Sequence, residues 1–117
     1  AVTAWGYFSY GGSGAPTDTG YIALYSTCCA FAAVKADGAV TAWGYFSYGG
    51  SGAPTDTGYT ALYSTRYAFA AVKADGSVTA WGDSSYGGTG APTDTGYTAL
   101  YSTSSAFAAV KADGSVT

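Results

Sequence analysis

The sequence predicts an all-β array of three tandem blades, and three observations carry that prediction. The chain aligns with itself without a gap at a spacing of 38 residues, so 1–38, 39–76 and 77–114 are copies of one unit and 115–117 begin a fourth. Repeats of this length mean an array, a propeller or a three-fold barrel. Each copy is made of short runs rich in apolar and β-branched residues, separated by Gly, Pro, Asp and Ser, which is the punctuation of strands and turns. Along Phe69-Ala70-Ala71-Val72 neither alternate set of side chains is polar, so both faces of that strand are expected to be buried between neighbouring sheets.

The element around which each copy is organised is a hairpin, Ala68 to Gly82 in the second copy. Phe69 to Lys73 and Ser77 to Trp81 are its strands, and Ala74-Asp75-Gly76 between them places glycine where a tight connection needs a positive φ. In chain order the first copy then reads as a strand from Val2 to Trp5, a Gly-rich connection from Gly6 to Gly20 and a strand from Tyr21 to Ser26. Cys28-Cys29 form a tight turn, and a strand from Ala30 to Lys35 closes at Asp37-Gly38. The next copy opens with the strand that completes the hairpin. Pro16, Pro54 and Pro92 fall in the long connections, where a missing amide donor costs no ladder bond. The run Tyr10 to Gly14 has the glycines of a phosphate cradle but neither the lysine nor the helix that such a cradle needs, and is read as a flexible loop.

With 117 residues the chain is a single repeat array, enough to bury about two-thirds of its unfolded surface if it closes on itself. Ser115-Val116-Thr117 repeat Ala1-Val2-Thr3 in mid-strand. Neighbours at both ends, as a homo-oligomer or a longer array, or closure into a ring, are therefore expected. The alternative is a self-closed three-fold barrel of the β-trefoil or β-prism kind. An open arc of three two-faced blades would expose residues such as Phe31, Leu100, Val34 and Val110, each forgoing roughly 1.5–3 kcal/mol of burial, so an isolated open arc is not expected to be a stable monomer.

Composition narrows the function. Charged residues make up only 9% of the chain and the net charge is −3, so no basic patch is available for a nucleic acid. The chain has no His, Glu, Asn, Gln or Met, which removes the commonest general base and metal ligand. No enzymatic activity and no cofactor are expected. No apolar run approaches the ~20 residues of a membrane-spanning helix, so membrane insertion is not expected either. A surface built on Ser, Thr, Tyr and Gly rather than on Lys and Glu points to an extracellular or cell-surface setting.

The pattern Ala-Phe-Ala-Ala-Val-Lys-Ala-Asp-Gly-Ser-Val-Thr-Ala-Trp-Gly, followed by Asp83-Ser84-Ser85-Tyr86-Gly87, resembles the repeat of RCC1-like β-propellers and the shorter repeat of BLIP-II-like inhibitor propellers. The resemblance covers every copy. It implies antiparallel blades running strand, turn, strand, Asp-Gly turn, strand ending in Trp-Gly, then a loop to the next blade. It also implies completion by further blades, because such propellers carry about seven of them and this chain has three copies. The chromatin-linked exchange activity known in that family is not carried over, since the acidic balance opposes it. The inhibitor-type relatives imply a binding face built from aromatic-rich turns at one end of the propeller.

The differences between copies point to the same end. In an antiparallel blade successive connections alternate ends, so the turn at Arg66-Tyr67 and the loop after Trp81-Gly82 share one end, while Asp75-Gly76 lies at the other. The variation concentrates in the two connections of the shared end: Cys28-Cys29, Arg66-Tyr67 and Ser104-Ser105 in the turn, and Tyr7-Phe8, Tyr45-Phe46 and Asp83-Ser84 in the loop. These twelve residues form the candidate binding face, for a protein or glycan ligand, because Tyr, Phe and Arg varied over a constant scaffold suit a recognition surface.

Two further groups bear on chemistry. Adjacent cysteines can form only a vicinal disulfide, so Cys28 and Cys29 are expected to stay free, to bridge to another chain or to bind a metal with help from elsewhere. The Thr-Asp-Thr-Gly loops at Asp18, Asp56 and Asp94 each offer one carboxylate, far below the oxygens that Ca2+ needs, and these Asp are expected to accept from amides of their own loops. The expected function is a non-enzymatic structural or adhesive repeat module that assembles through blade faces and strand ends. The alternatives are a binding protein using the varied face, or an engineered symmetric scaffold.

Overall fold

The structure is a computed structural model and describes residues 2–117. It is all-β, as the sequence predicts. Strands β1 (Tyr21–Ser26), β2 (Ala30–Lys35) and β3 (Val40–Gly44) form one antiparallel sheet, in that order. A second sheet repeats it with β4 (Tyr59–Ser64), β5 (Ala68–Lys73) and β6 (Val78–Gly82). The third contains β7 (Tyr97–Ser102) and β8 (Phe107–Lys111), and Val116 adds an isolated bridge to Val110. Each complete sheet therefore takes two strands from one copy and its third from the next. The cause is the Asp-Gly turn. Its glycine closes a short hairpin (Gly38 N donates to Lys35 O, 2.9 Å), which ties β2 to β3 across the sequence boundary, whereas the long loop separates β3 from β4.

The sheets pack face to face through alternate residues. From the first sheet Ala30, Ala32 and Val34 meet Tyr59, Leu62, Phe69, Ala71 and Trp81 of the second. On its other side the second sheet presents Ala70 and Val72 to Tyr97, Leu100 and Ala109 of the third. Phe69 is 0% exposed. The predicted sandwiching of an apolar strand on both faces thus holds for β5, whose alanines leave room for the large residues opposite. No closed barrel forms among the described residues, which span 42 × 29 × 17 Å. No helix is long and apolar enough to cross a membrane.

Two expectations are corrected. Val2 to Trp5 is not a strand, although β3 and β6 have the same sequence over the corresponding residues. Those two strands lie beside β2 and β5, and among the described residues nothing equivalent stands beside Val2 to Trp5. The Gly-rich connections are also more ordered than a flexible loop. Each contains a single 3-10 turn, at Phe8–Tyr10, Phe46–Tyr48 and Ser84–Tyr86.

A candidate aromatic ridge

The two varied connections meet at one end of the sheets. Tyr45 N donates to Cys29 O (2.9 Å), and Asp83 N donates to Tyr67 O (3.0 Å). The turns of successive sheets are themselves joined, Cys28 N to Arg66 O and Arg66 N to Ser104 O, both 2.9 Å. The varied pairs Cys28-Cys29, Arg66-Tyr67 and Ser104-Ser105 therefore stand in a row, fixed by backbone rather than by their own side chains. Beneath them Thr27 and Thr65 hydroxyls donate to the carbonyls of Tyr48 and Tyr86 at 2.8 and 2.7 Å. These bonds clamp the second and third 3-10 turns, Phe46–Tyr48 and Ser84–Tyr86, each to the strand connection before it.

On this base lies a continuous file of rings. Tyr7 and Tyr10 are 5.0 Å apart between centroids, Tyr10 and Tyr45 5.8 Å, Tyr45 and Tyr48 4.9 Å, Tyr48 and Tyr67 4.3 Å, and Tyr67 and Tyr86 4.6 Å. Phe8 and Phe46 flank it against Tyr7 and Tyr45. Tyr7, Phe8 and Phe46 are exposed, while Tyr45, Tyr48, Tyr67 and Tyr86 are half-buried. Such ring pairs add about 0.5–1.5 kcal/mol each beyond their area, so the file holds its own shape. The Arg66 guanidinium lies 5.5 Å from the Tyr67 centroid, a cation–π arrangement that covers the middle of the file. Partial burial, followed by the neighbouring Tyr67 and Tyr45, pushes the Tyr48 phenol above its ordinary value of 10.0, which keeps that hydroxyl protonated and able to donate.

In the third copy the file ends. Asp83 replaces the tyrosine of the other copies, and its carboxylate accepts from Ser85 N at 2.8 Å, capping its 3-10 turn. In the first two copies Tyr7 and Tyr45 offer no side-chain cap, and ring packing takes that place. Ser84, Ser104 and Ser105 are exposed and carry no ring into the file. Sequence reasoning placed the varied residues but missed Tyr10, Tyr48 and Tyr86, which connect them. They are the same in every copy, so a search for differences passed over them. The usable signal was spacing, because residues three apart in a 3-10 turn lie side by side.

The cysteines require a correction. Cys28 and Cys29 are joined to each other as a vicinal disulfide, not free, bridged to another chain or held by a metal. The tight turn brings the two sulfurs together, with Cys29 N donating to Thr27 Oγ1 at 3.3 Å. The pair lies in the same row as Arg66-Tyr67 and is exposed at Cys28.

Charge lies at the opposite end, around the Asp-Gly turns. Asp18, Asp56 and Asp94 accept from Lys35, Lys73 and Lys111 and from the hydroxyls of Tyr21, Tyr59 and Tyr97. They are thus held chiefly by side chains, with their own backbone amides adding less, and among the described residues no cluster of three metal-ligating groups forms. Six of the seven Asp and all three Lys belong to this end. The aromatic end carries only Arg66 and Asp83, so it is neutral while the other end holds the whole net charge of −3.

The charged clasps predict a pH profile. The lysine ammonium, then the tyrosine hydroxyl, lowers each carboxyl below its ordinary 3.8. Hydrogen bonding to Asp raises each lysine above 10.5. A lowered carboxyl stabilises the fold above its unfolded value and loses that contribution as pH falls through the folded one; a raised lysine stabilises below its unfolded value and loses it as pH rises through the folded one. Thermal midpoints should therefore stay level across the middle of the scale and decline below pH 3.8 and above pH 10.5. Asp18, Asp56 and Asp94 replaced together by Asn should flatten both limbs, and an unchanged profile in that variant would show that the clasps do not set it. Each pair is exposed, so each contribution is small.

Compared with known proteins, the chain matches no protein-family model and no curated relative.

Proposed function

We propose that this chain is a non-enzymatic repeat module of an extracellular or cell-surface protein, structural and adhesive in role, in which an RCC1-like, propeller-type succession of blades displays the aromatic ridge to a glycan. The observation that carries the reading is the file of rings crossing all three copies at the end without net charge. A pyranose offers a C–H face that packs on aromatic rings and hydroxyls that pair with phenols, and it carries no charge for the missing Lys and Glu to meet. Tyr supplies apolar area and a polar tip at little cost in side-chain entropy. The Cys28–Cys29 disulfide suits an oxidising compartment.

An array of neutral glycans tests this. The chain should capture at least one class, and replacing Tyr7, Phe8, Tyr45, Phe46, Arg66 and Tyr67 together by Ser should abolish the signal while leaving a cooperative melt. The third copy already carries Ser at three of the equivalent places, Ser84, Ser104 and Ser105. Retained capture, or no capture by the unaltered chain, overturns the glycan reading.

A further inference from the structure

The ring file is also a row of phenols. Of the 12 tyrosines in the chain, only Tyr7, Tyr10, Tyr45, Tyr48, Tyr67 and Tyr86 pack ring to ring with another tyrosine among the described residues. Tyr21, Tyr59 and Tyr97 are engaged instead with Asp18, Asp56 and Asp94 at the opposite end. Within the file one contact stands apart. Tyr48 and Tyr67 have the shortest separation, 4.3 Å between centroids, and are tilted by only 31°, whereas Tyr10 and Tyr45 meet at 89° and Tyr67 and Tyr86 at 79°. An edge-to-face pair turns the edge of one ring to the middle of the other, but nearly parallel rings in close contact bring their edges alongside. The carbons that flank the phenol oxygen lie on those edges.

The two rings come from different sheets. Tyr48 ends the 3-10 turn that follows β3, and Tyr67 lies in the turn between β4 and β5. Tyr45 and Tyr48, at 4.9 Å and 42°, belong by contrast to one connection. Tyr48 and Tyr67 are each pinned through the carbonyl: Tyr48 O accepts from the Thr27 hydroxyl at 2.8 Å, and Tyr67 O from Asp83 N at 3.0 Å. Both rings are half-buried, and the Arg66 guanidinium lies 5.5 Å from the Tyr67 centroid. The pair is therefore held close to a reacting geometry before any reaction begins, which is the main requirement for coupling two groups of one chain.

Few other side chains compete for an oxidant. The chain has no Met or His, Cys28 and Cys29 are already joined to each other, and of the indoles only Trp5 is exposed, Trp43 and Trp81 being buried. The vicinal disulfide suits an oxidising compartment, which is also where phenols meet peroxide-driven oxidation.

We propose that Tyr48 and Tyr67 form an oxidative cross-linking site, whose product is a carbon–carbon bond between the two rings that welds the first sheet to the second. The co-substrate is a one-electron phenol oxidant of the haem-peroxidase class working with hydrogen peroxide. Each phenol gives up one electron and one proton and becomes a phenoxyl radical, whose unpaired spin lies partly on the carbons beside the oxygen. The two radicals couple at those carbons, one electron from each ring making the new bond, and the hydrogen on each coupled carbon moves to the oxygen to restore a phenol. The two electrons and two protons removed reduce one hydrogen peroxide to two waters. The chain thus loses two hydrogens and gains a loop, closed from Tyr48 to Tyr67, that contains the whole of β4. Closing such a loop restrains the unfolded chain as a disulfide does.

Treatment of the dilute, folded chain with haem peroxidase and hydrogen peroxide, followed by peptide mass spectrometry, tests this. The single-chain product should be lighter by two hydrogens, show the long-wavelength emission of a biphenol and carry its link between the peptides that contain Tyr48 and Tyr67. Tyr67→Phe keeps the ring and its packing but removes the phenol, so it should abolish the link, as should Tyr48→Phe, whereas Tyr86→Phe should leave it intact. The linked chain should melt about 5 °C or more above the untreated one. A chain left unlinked, links scattered over other tyrosine pairs, products joined only between chains, or a link that survives Tyr67→Phe overturns the proposal, and an unchanged melt overturns the welding role. Glycan capture is measured on immobilised sugars with the untreated chain, so neither result stands or falls with the other.

Discussion

Replacing Phe69 by Ala should remove a large share of the stability of the chain, while the same change at Phe107 should cost clearly less. Phe69 is fully buried on the middle sheet, held between Trp81 of its own sheet and Ala30 and Ala32 of the first. Truncating a buried Phe leaves a cavity and costs about 3–5 kcal/mol, a large share of the roughly 5–15 kcal/mol that holds a small domain. Phe107 has the same flanking alanines but lies half-buried beside a cavity of about 120 Å3. The two substitutions therefore differ in packing alone. Chemical denaturation of both variants measures the contrast, and equal losses would show that the middle sheet is not the more tightly sandwiched of the two.

The second large effect concerns a joint between copies. Gly76 closes the hairpin of the second sheet with φ +82°, and a side chain there would place its first carbon 2.3 Å from the backbone nitrogen of Tyr97. Backbone cannot rotate aside as a side chain can. At this point Gly76 O accepts from Tyr97 N, and Asp75 O accepts from Gly96 N, so relief of the clash breaks the contact that aligns one sheet with the next. Gly114 has nearly the same φ, +86°, and nothing within 4 Å of the added carbon. Gly114→Ala should cost only the conformational strain, about 1–3 kcal/mol, and Gly76→Ala distinctly more. Thermal melts of the two variants separate strain from collision, and equal shifts would mean that the Gly76 turn yields freely.

Much of this fold is legible in the sequence because its determinants are local and repeated. The Asp-Gly turn, the two-faced strand Phe69 to Val72 and the alternation of connections between ends each follow from a few adjacent residues, and together they place the varied pairs on one end. The Val2 to Trp5 segment misled for the opposite reason. Its side chains are those of a strand, but a strand is a relation to a partner, and the partner of β3 and β6 comes from the copy before. The ridge was legible in part. Tyr45 and Tyr67 stood out by varying, whereas Tyr48, which bridges them, depends on a 3-10 turn that Gly-rich composition conceals. The state of Cys28 and Cys29 could not be read from adjacency, because the closure of so small a ring is decided by the turn around it.

Strand lending between copies also governs how the chain comes apart. Melting one sheet strips the last two strands from one copy and the first from the next, so no copy can lose its structure and leave its neighbour whole. In a linear array this appears as strong nearest-neighbour coupling: the intact and disordered parts of the chain are separated by a costly boundary, and the number of such boundaries is kept to a minimum. Disorder therefore enters from the two outer sheets, where burial is least, and advances inward. The middle sheet, with both of its faces covered, is the last to yield, and the ring file above it keeps its central members, Tyr45, Tyr48 and Tyr67, for as long as that sheet survives.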